Sequence, residues 1–152
     1  MSLTRTQVVD ALHGALKTAW DAVDGGDYAA RVKWPNVATT PTEADAAPFD
    51  GNEPWIRPTI RHAPGLGKTT LSNVVGLRRW DRRGVMVVQV FGPRGSGLPG
   101  TVDLPKVVQD AFEGQSLLSG LVIRTVDVQE IGDEGNWYQT NVSIAFEYDE
   151  LK

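Results

Sequence analysis

The feature that most restricts the fold lies near the end of the sequence. Tyr138, Thr140, Val142, Ile144, Phe146 and Tyr148 alternate with Trp137, Gln139, Asn141, Ser143, Ala145 and Glu147. Successive side chains of a strand point to opposite faces, so this period of two predicts an antiparallel strand with one buried face. The buried face is the first set. Leu121 to Val128 is also strand-like, and Ile131-Gly132-Asp133-Glu134-Gly135-Asn136 is expected to make the turn between the two strands.

The start of the chain has a different period. Val8, Val9, Leu12, Leu16, Ala19, Trp20 and Val23 recur at three- and four-residue spacing, which predicts an amphipathic helix. Thr4 or Thr6 can cap it, and Gly25-Gly26 can end it. Tyr28 to Trp34 alternates before Pro35 and reads as a short edge strand, followed by a long loop from Asn36 to Pro54. Trp55 to His62 reads as a strand in which Pro58 requires an edge or a bulge. Leu71 to Trp80 and Val85 to Phe91 flank Asp81-Arg82-Arg83-Gly84, which predicts a hairpin with a charged tip. Val85-Met86-Val87-Val88 is apolar on both faces and therefore needs two covers, from its own subunit or from a neighbour. Gly92 to Gly100 reads as a loop. Val107, Val108, Ala111 and Phe112 predict a second short helix, with Pro105 in its first turn and Gly114 at its end. The resulting class is α+β: a mostly antiparallel sheet with both helices packed on one face and long loops between strands.

With 152 residues the chain suits a single domain over 1–152. It has no cysteine, which removes disulfides, thiolate nucleophiles and cysteine-based metal sites. No apolar run approaches the ~18 residues of a membrane span, and Met1 to Thr6 does not lead into a signal-peptide core, so a soluble, unexported domain is expected. The net charge of −4 is unevenly spread: residues 57–94 carry eight basic and one acidic side chain, whereas residues 124–152 carry two basic and seven acidic. A basic middle and an acidic end can attract copies of the same chain or a polar partner.

Pro64-Gly65-Leu66-Gly67-Lys68-Thr69-Thr70 ends like a phosphate-binding loop, but the glycine that pattern needs five residues before Gly67 is replaced by His62. The segment after it, with Val74-Val75-Gly76, is better strand than helix. A glycine loop between strands explains it, and nucleotide hydrolysis is rejected. His13 and His62 stand apart from any local serine or carboxylate constellation, Asp133-Glu134 belong to a turn, and nothing has metal-ligand spacing. No catalytic, cofactor or metal site is expected. Arg78, Arg79, Arg82 and Arg83 around Trp80 have the composition of a protein-contact hot spot. A solvated tip ranks second and a phosphate-gripping nucleic-acid surface third, because the chain as a whole is acidic.

Several segments, taken in order, resemble the phage tail terminator-like proteins. They are the N-terminal helix, Val32-Lys33-Trp34-Pro35-Asn36, Pro54-Trp55-Ile56-Arg57, the run Gly84 to Gly97, the helix Val107 to Phe112 and the closing strand Trp137 to Glu147. The most distinctive parts are Trp34-Pro35-Asn36 and Gln89-Val90-Phe91-Gly92-Pro93-Arg94-Gly95-Ser96-Gly97. The resemblance implies a non-enzymatic virion protein without cofactor, assembled in the host cytoplasm and placed at the head-proximal end of the tail. Its implied form is a homohexameric ring that caps the tail tube, ends its polymerisation and offers a surface for head attachment. Implied partners are further copies of itself, the tail tube protein and a neck or head-completion protein. No membrane is involved, and genomic DNA is only cargo passing through the lumen. The closest rival is another head–tail connector, followed by a small nucleic-acid-binding module. For the subunit or tube interface the candidates are Arg78, Arg79, Trp80, Arg82, Arg83, Met86, Val88, Val90, Phe91 and Arg94.

Overall fold

The computed structural model describes residues 2–35, 53–64, 67–68, 74–95, 97 and 102–152. Thr4 starts the first helix, α1 (Arg5–Asp21), through a reciprocal cap. Its hydroxyl accepts from the Gln7 N–H at 3.2 Å, and the Gln7 side chain accepts from the Thr4 N–H at 2.9 Å. Val8, Leu12, Leu16 and Trp20 form the buried stripe. The helix ends before the glycines, in a 3₁₀ turn (Val23–Gly26) where Asp24 and Gly25 take left-handed backbone, φ 46° and 70°.

Tyr28 to Trp34 is not a strand. It begins as a turn and contributes one parallel bridge, Val32 to Ile56. Local bonds occupy the backbone that a ladder would need: Ala29 N–H donates to Gly26 O, Arg31 N–H donates to Tyr28 O, and the Trp20 indole also donates to Tyr28 O at 2.8 Å.

The sheet consists of β1 (Trp55–His62), β2 (Gly67–Lys68), β3 (Arg79–Pro93), β4 (Leu121–Glu134) and β5 (Trp137–Leu151). All pair antiparallel in the order β1-β3-β5-β4, and β2 lies on the same side of β3 as β1. β1 has the predicted bounds and is a border strand. Ile56 turns its N–H and C=O outward to Arg31 and Lys33, and Pro58 shares that orientation, so its missing donor costs the pairing with β3 nothing.

The predicted hairpin at Asp81-Arg82-Arg83-Gly84 does not exist. These residues lie inside β3, which runs unbroken opposite β5 from Arg79↔Leu151 to Pro93↔Trp137. Gly84 marks a close approach rather than a turn: a Cβ there would sit 2.6 Å from the Arg61 carbonyl oxygen and 2.7 Å from the Phe146 ring. Of the strand expected over Leu71 to Trp80, residues 71–73 lie outside the described residues. Val74 to Leu77 is a turn, closed by Leu77 N–H to Val74 O at 3.1 Å.

The last hairpin is tighter than the sequence suggests. β4 continues through Glu134, and the turn is Gly135-Asn136 alone. The register shift between Glu130 and Gly132 absorbs the extra residue, helped by a Gly132 φ of 107° that other residues rarely adopt. Of the expected loops, 36–52 lies outside the described residues, while Gly92 and Pro93 belong to β3 and Arg94-Gly95 to the turn after it. Gly67-Lys68 of the glycine–lysine segment pair with Asp81 and Trp80 as β2; residues 65–66 and 69–70 lie outside.

α1 and the second helix, α2 (Leu104–Phe112), cover one face of the sheet. Val8, Leu12, Leu16, Trp20, Val108 and Phe112 meet Met86, Val88, Val90, Val142, Ile144 and Phe146 in one core. The alternation of β5 holds from Thr140 on, with Thr140, Val142, Ile144, Phe146 and Tyr148 all buried on the helix side. At its start Tyr138 is only half-buried, whereas Trp137 and Gln139 are buried on the other face. Only half of the Val85–Val88 run is covered as expected: Met86 and Val88 face the core, whereas Val85 and Val87 face the other way and are half-buried.

Candidate interaction surface

The sheet face away from the helices has two zones. Near one end, Trp55 stacks on its cross-strand partner Phe91, ring centroids 4.1 Å apart and 10° from parallel. Trp137 meets Trp55 edge-on at 6.1 Å, and all three rings are buried. The Arg57 guanidinium lies 5.5 Å from the Phe91 centroid and donates to the Gln89 side chain at 2.5 Å. Such aromatic pairs contribute about 0.5–1.5 kcal/mol beyond area burial, so this cluster fixes the register of β1 on β3. Beyond it the ladder brings Thr59, Val87, Ser143 and Asp127 into one row and Arg61, Val85, Ala145 and Thr125 into the next. The centre of these rows is small and half-buried; Arg61 on β1 and Asp127 on β4 are exposed at the flanks.

The ten candidate residues divide among three environments. Met86, Val88 and Val90 are fully buried under the helices, where a side chain cannot also meet a partner. On β3 it is the alternate residues, Val85 and Val87, that reach the open face. Phe91 belongs to the aromatic cluster. The basic residues are largely engaged within the chain. Arg79 pairs with Asp149 at 3.4 Å, Arg82 with Glu150 at 3.0 Å, Arg83 with Asp81 at 3.2 Å and Arg94 with Asp133 at 3.7 Å. Arg82 also lies 5.7 Å from the Trp80 ring centroid. The Arg78 backbone exchanges two hydrogen bonds with Lys152. Much of the charge complementarity between residues 57–94 and 124–152 is therefore satisfied inside one chain, because β3 and β5 lie side by side.

Burial also sets the titration of the two histidines. His62 shares a 3.1 Å hydrogen bond with the Tyr148 hydroxyl and packs edge-on against Phe146. Its pKa is lowered, first by burial and then by Arg5 and Arg82. Burial likewise lowers His13, against the opposing charge of Asp10. Glu147 is lowered chiefly by its hydrogen bond from Arg124. Among the described residues neither histidine contacts a serine or a carboxylate in the way a hydrolytic centre requires, and no three potential ligands cluster for a metal.

A family model described as phage tail terminator protein matches residues 7–146. The chain belongs to that family. Terminators are structural rather than catalytic proteins and are components of the phage tail. No curated protein matches the sequence. A solved structure of 14% identity shares the fold, with a TM-score of 0.66 over 97% of this chain and 96% of that one.

Sequence reasoning about this terminator expected an edge or a bulge at Pro58 of β1, but it singled out the charges of neither border of the sheet. Arg57 and Arg61 on β1, and Asp127 and Glu130 on β4, are exposed. The signal was present as a strand with two arginines and no acid, and another with four acids and one arginine. Without the strand order, β4 could not be recognised as the opposite border.

Proposed function

We propose that this chain ends the phage tail tube as a ring of six copies at the head-proximal end. The ring halts polymerisation of the tube protein and presents the surface to which a neck or head-completion protein attaches. The family match over residues 7–146 carries this reading. An open sheet face flanked by opposite charges supports it, since a ring needs two different faces of one subunit to meet. Assembly takes place in the host cytoplasm, no membrane is involved, and genomic DNA passes through the lumen as cargo. Arg78, Arg79, Trp80, Arg82, Arg83 and Arg94, on and beside β3, remain candidates for contact with tube or neck, and the buried Met86, Val88, Val90 and Phe91 do not.

The test is the mass and symmetry of the purified protein, alone and with its tube protein, together with tail lengths made in its absence. Six-fold particles and over-long tails without the protein are the expected results. Tails of normal length without it, or a ring found only against the head, would replace this reading with that of a different connector.

A further inference from the structure

We infer that the two opposite borders of the sheet dock on each other between copies, β4 of one subunit against β1 of the next. The inference rests on the proposed ring for the presence of a second copy, and names the surfaces that join it.

Among the described residues β4 is bonded to β5 on one side only, and its fourteen residues contain no proline. A border of that length is a site of association unless it is blunted. Val122 on the open face, Val128 on the helix side and Ile131 at the register shift are 43%, 43% and 48% exposed, so apolar side chains stand open to solvent on both faces of this border. Asp127 on the open face and Glu130 on the helix side are exposed, and among the described residues neither forms an ion pair or a side-chain hydrogen bond. Register shifts at Ile123/Thr125 and Glu130/Gly132 make the strand irregular, which favours contact through side chains over simple strand addition.

β1 is the complementary border. Arg57 and Arg61 are exposed on it, the Arg61 side chain without a partner among the described residues, and the strand holds no acid. Pro58 and the bridge to Val32 occupy its outward backbone. A second copy of β4 is a poor occupant for β4, because two acidic borders would repel. The basic border fits instead. Joining different borders is a heterologous contact, the kind that closes into rings. Apolar contact supplies the attraction, while charge selects partner and orientation.

Charge swapping tests this. Sedimentation velocity is recorded at low and physiological salt for the wild type, for D127K/E130K, for R57E/R61E, for their equimolar mixture and for the quadruple variant. Each double variant should weaken self-association at least tenfold, while the mixture and the quadruple variant should recover it. Recovery is an effect that misfolding cannot imitate. Wild-type association in both double variants would overturn the docking mode while leaving ring and tail termination intact. So would loss in the double variants without recovery in either combination. A two-subunit species strengthened by D127N/E130Q, which removes the repulsion between two acidic borders, would show β4-to-β4 packing and also overturn it. A wild type that stays monomeric both alone and with tube protein would overturn this inference and the ring together.

Discussion

Gly84 lies directly across the β3–β5 ladder from Phe146, and the space its missing side chain leaves is filled by the Phe146 ring and the Arg61 carbonyl. One glycine thus allows three strands to meet closely: β3 itself, β1 on one side and β5, which carries the buried Phe146 ring, on the other. Gly84→Ala should cost about 1–3 kcal/mol, as overpacking of a tight site does. Truncating Phe146 should not restore the loss, because the Arg61 backbone cannot move away as a side chain can. Urea unfolding of the two single variants and the double variant measures this. A Gly84→Ala protein as stable as wild type would show that the site has room.

Phe146 and Ser143 test the register of β5. Phe146 is buried on the helix side, and Ser143 lies half-buried on the open face. Phe146→Ala should lose about 3–5 kcal/mol and Ser143→Ala less than about 0.5 kcal/mol. Equal shifts in melting temperature would contradict the register.

Stability should fall as pH drops below 6.5. His62 and His13 both titrate below that value in the folded chain, so near it the unfolded chain binds more protons. Stability therefore rises with pH through this range, is fully present above 6.5 and is lost as pH falls toward the folded values. Melting curves from pH 7 to pH 5 should show the decline, and His13→Gln combined with His62→Gln should flatten it. Glu147, lowered by Arg124, adds its own loss only below the ordinary carboxylate value of 4.5. An unchanged slope in the double variant would remove the histidines from the account.

Reversing Arg79 and Arg82 to glutamate should destabilise the monomer as well as alter its contacts. Both pair with β5 acids, Asp149 and Glu150, so reversal sets like charges across one ladder. Exposed pairs contribute only ~0–1 kcal/mol each, and a loss of about 1–2 kcal/mol for the two is expected. Adding Asp149→Lys and Glu150→Lys should recover most of it in thermal unfolding. Failure to recover would mean that the pairs do not couple.

What the sequence determined by itself was local and periodic. Alternation over Trp137–Tyr148 fixed which side chains of β5 face the helices, since a strand has only two faces. The spacing from Val8 to Trp20 fixed α1 and its buried stripe, since the side chains of a helix recur every 3.6 residues. The order of segments also pointed to the family whose model matches residues 7–146. Only tertiary structure decided where those pieces meet. Asp81-Arg82-Arg83-Gly84 has the composition of a turn, yet it is strand, because β5 supplies the acids opposite the arginines and Phe146 needs the gap at Gly84. Tyr28 to Trp34 has the alternation of a strand, yet local turn bonds and the Trp20 indole take its backbone. Met86 and Val85 are neighbours of similar character, and only the position of the helices puts the first inside and leaves the second on the open face. The same holds for charge. A sequence records how many arginines and acids it carries, but pairing depends on which strands lie together, and that is settled by packing across the whole sheet.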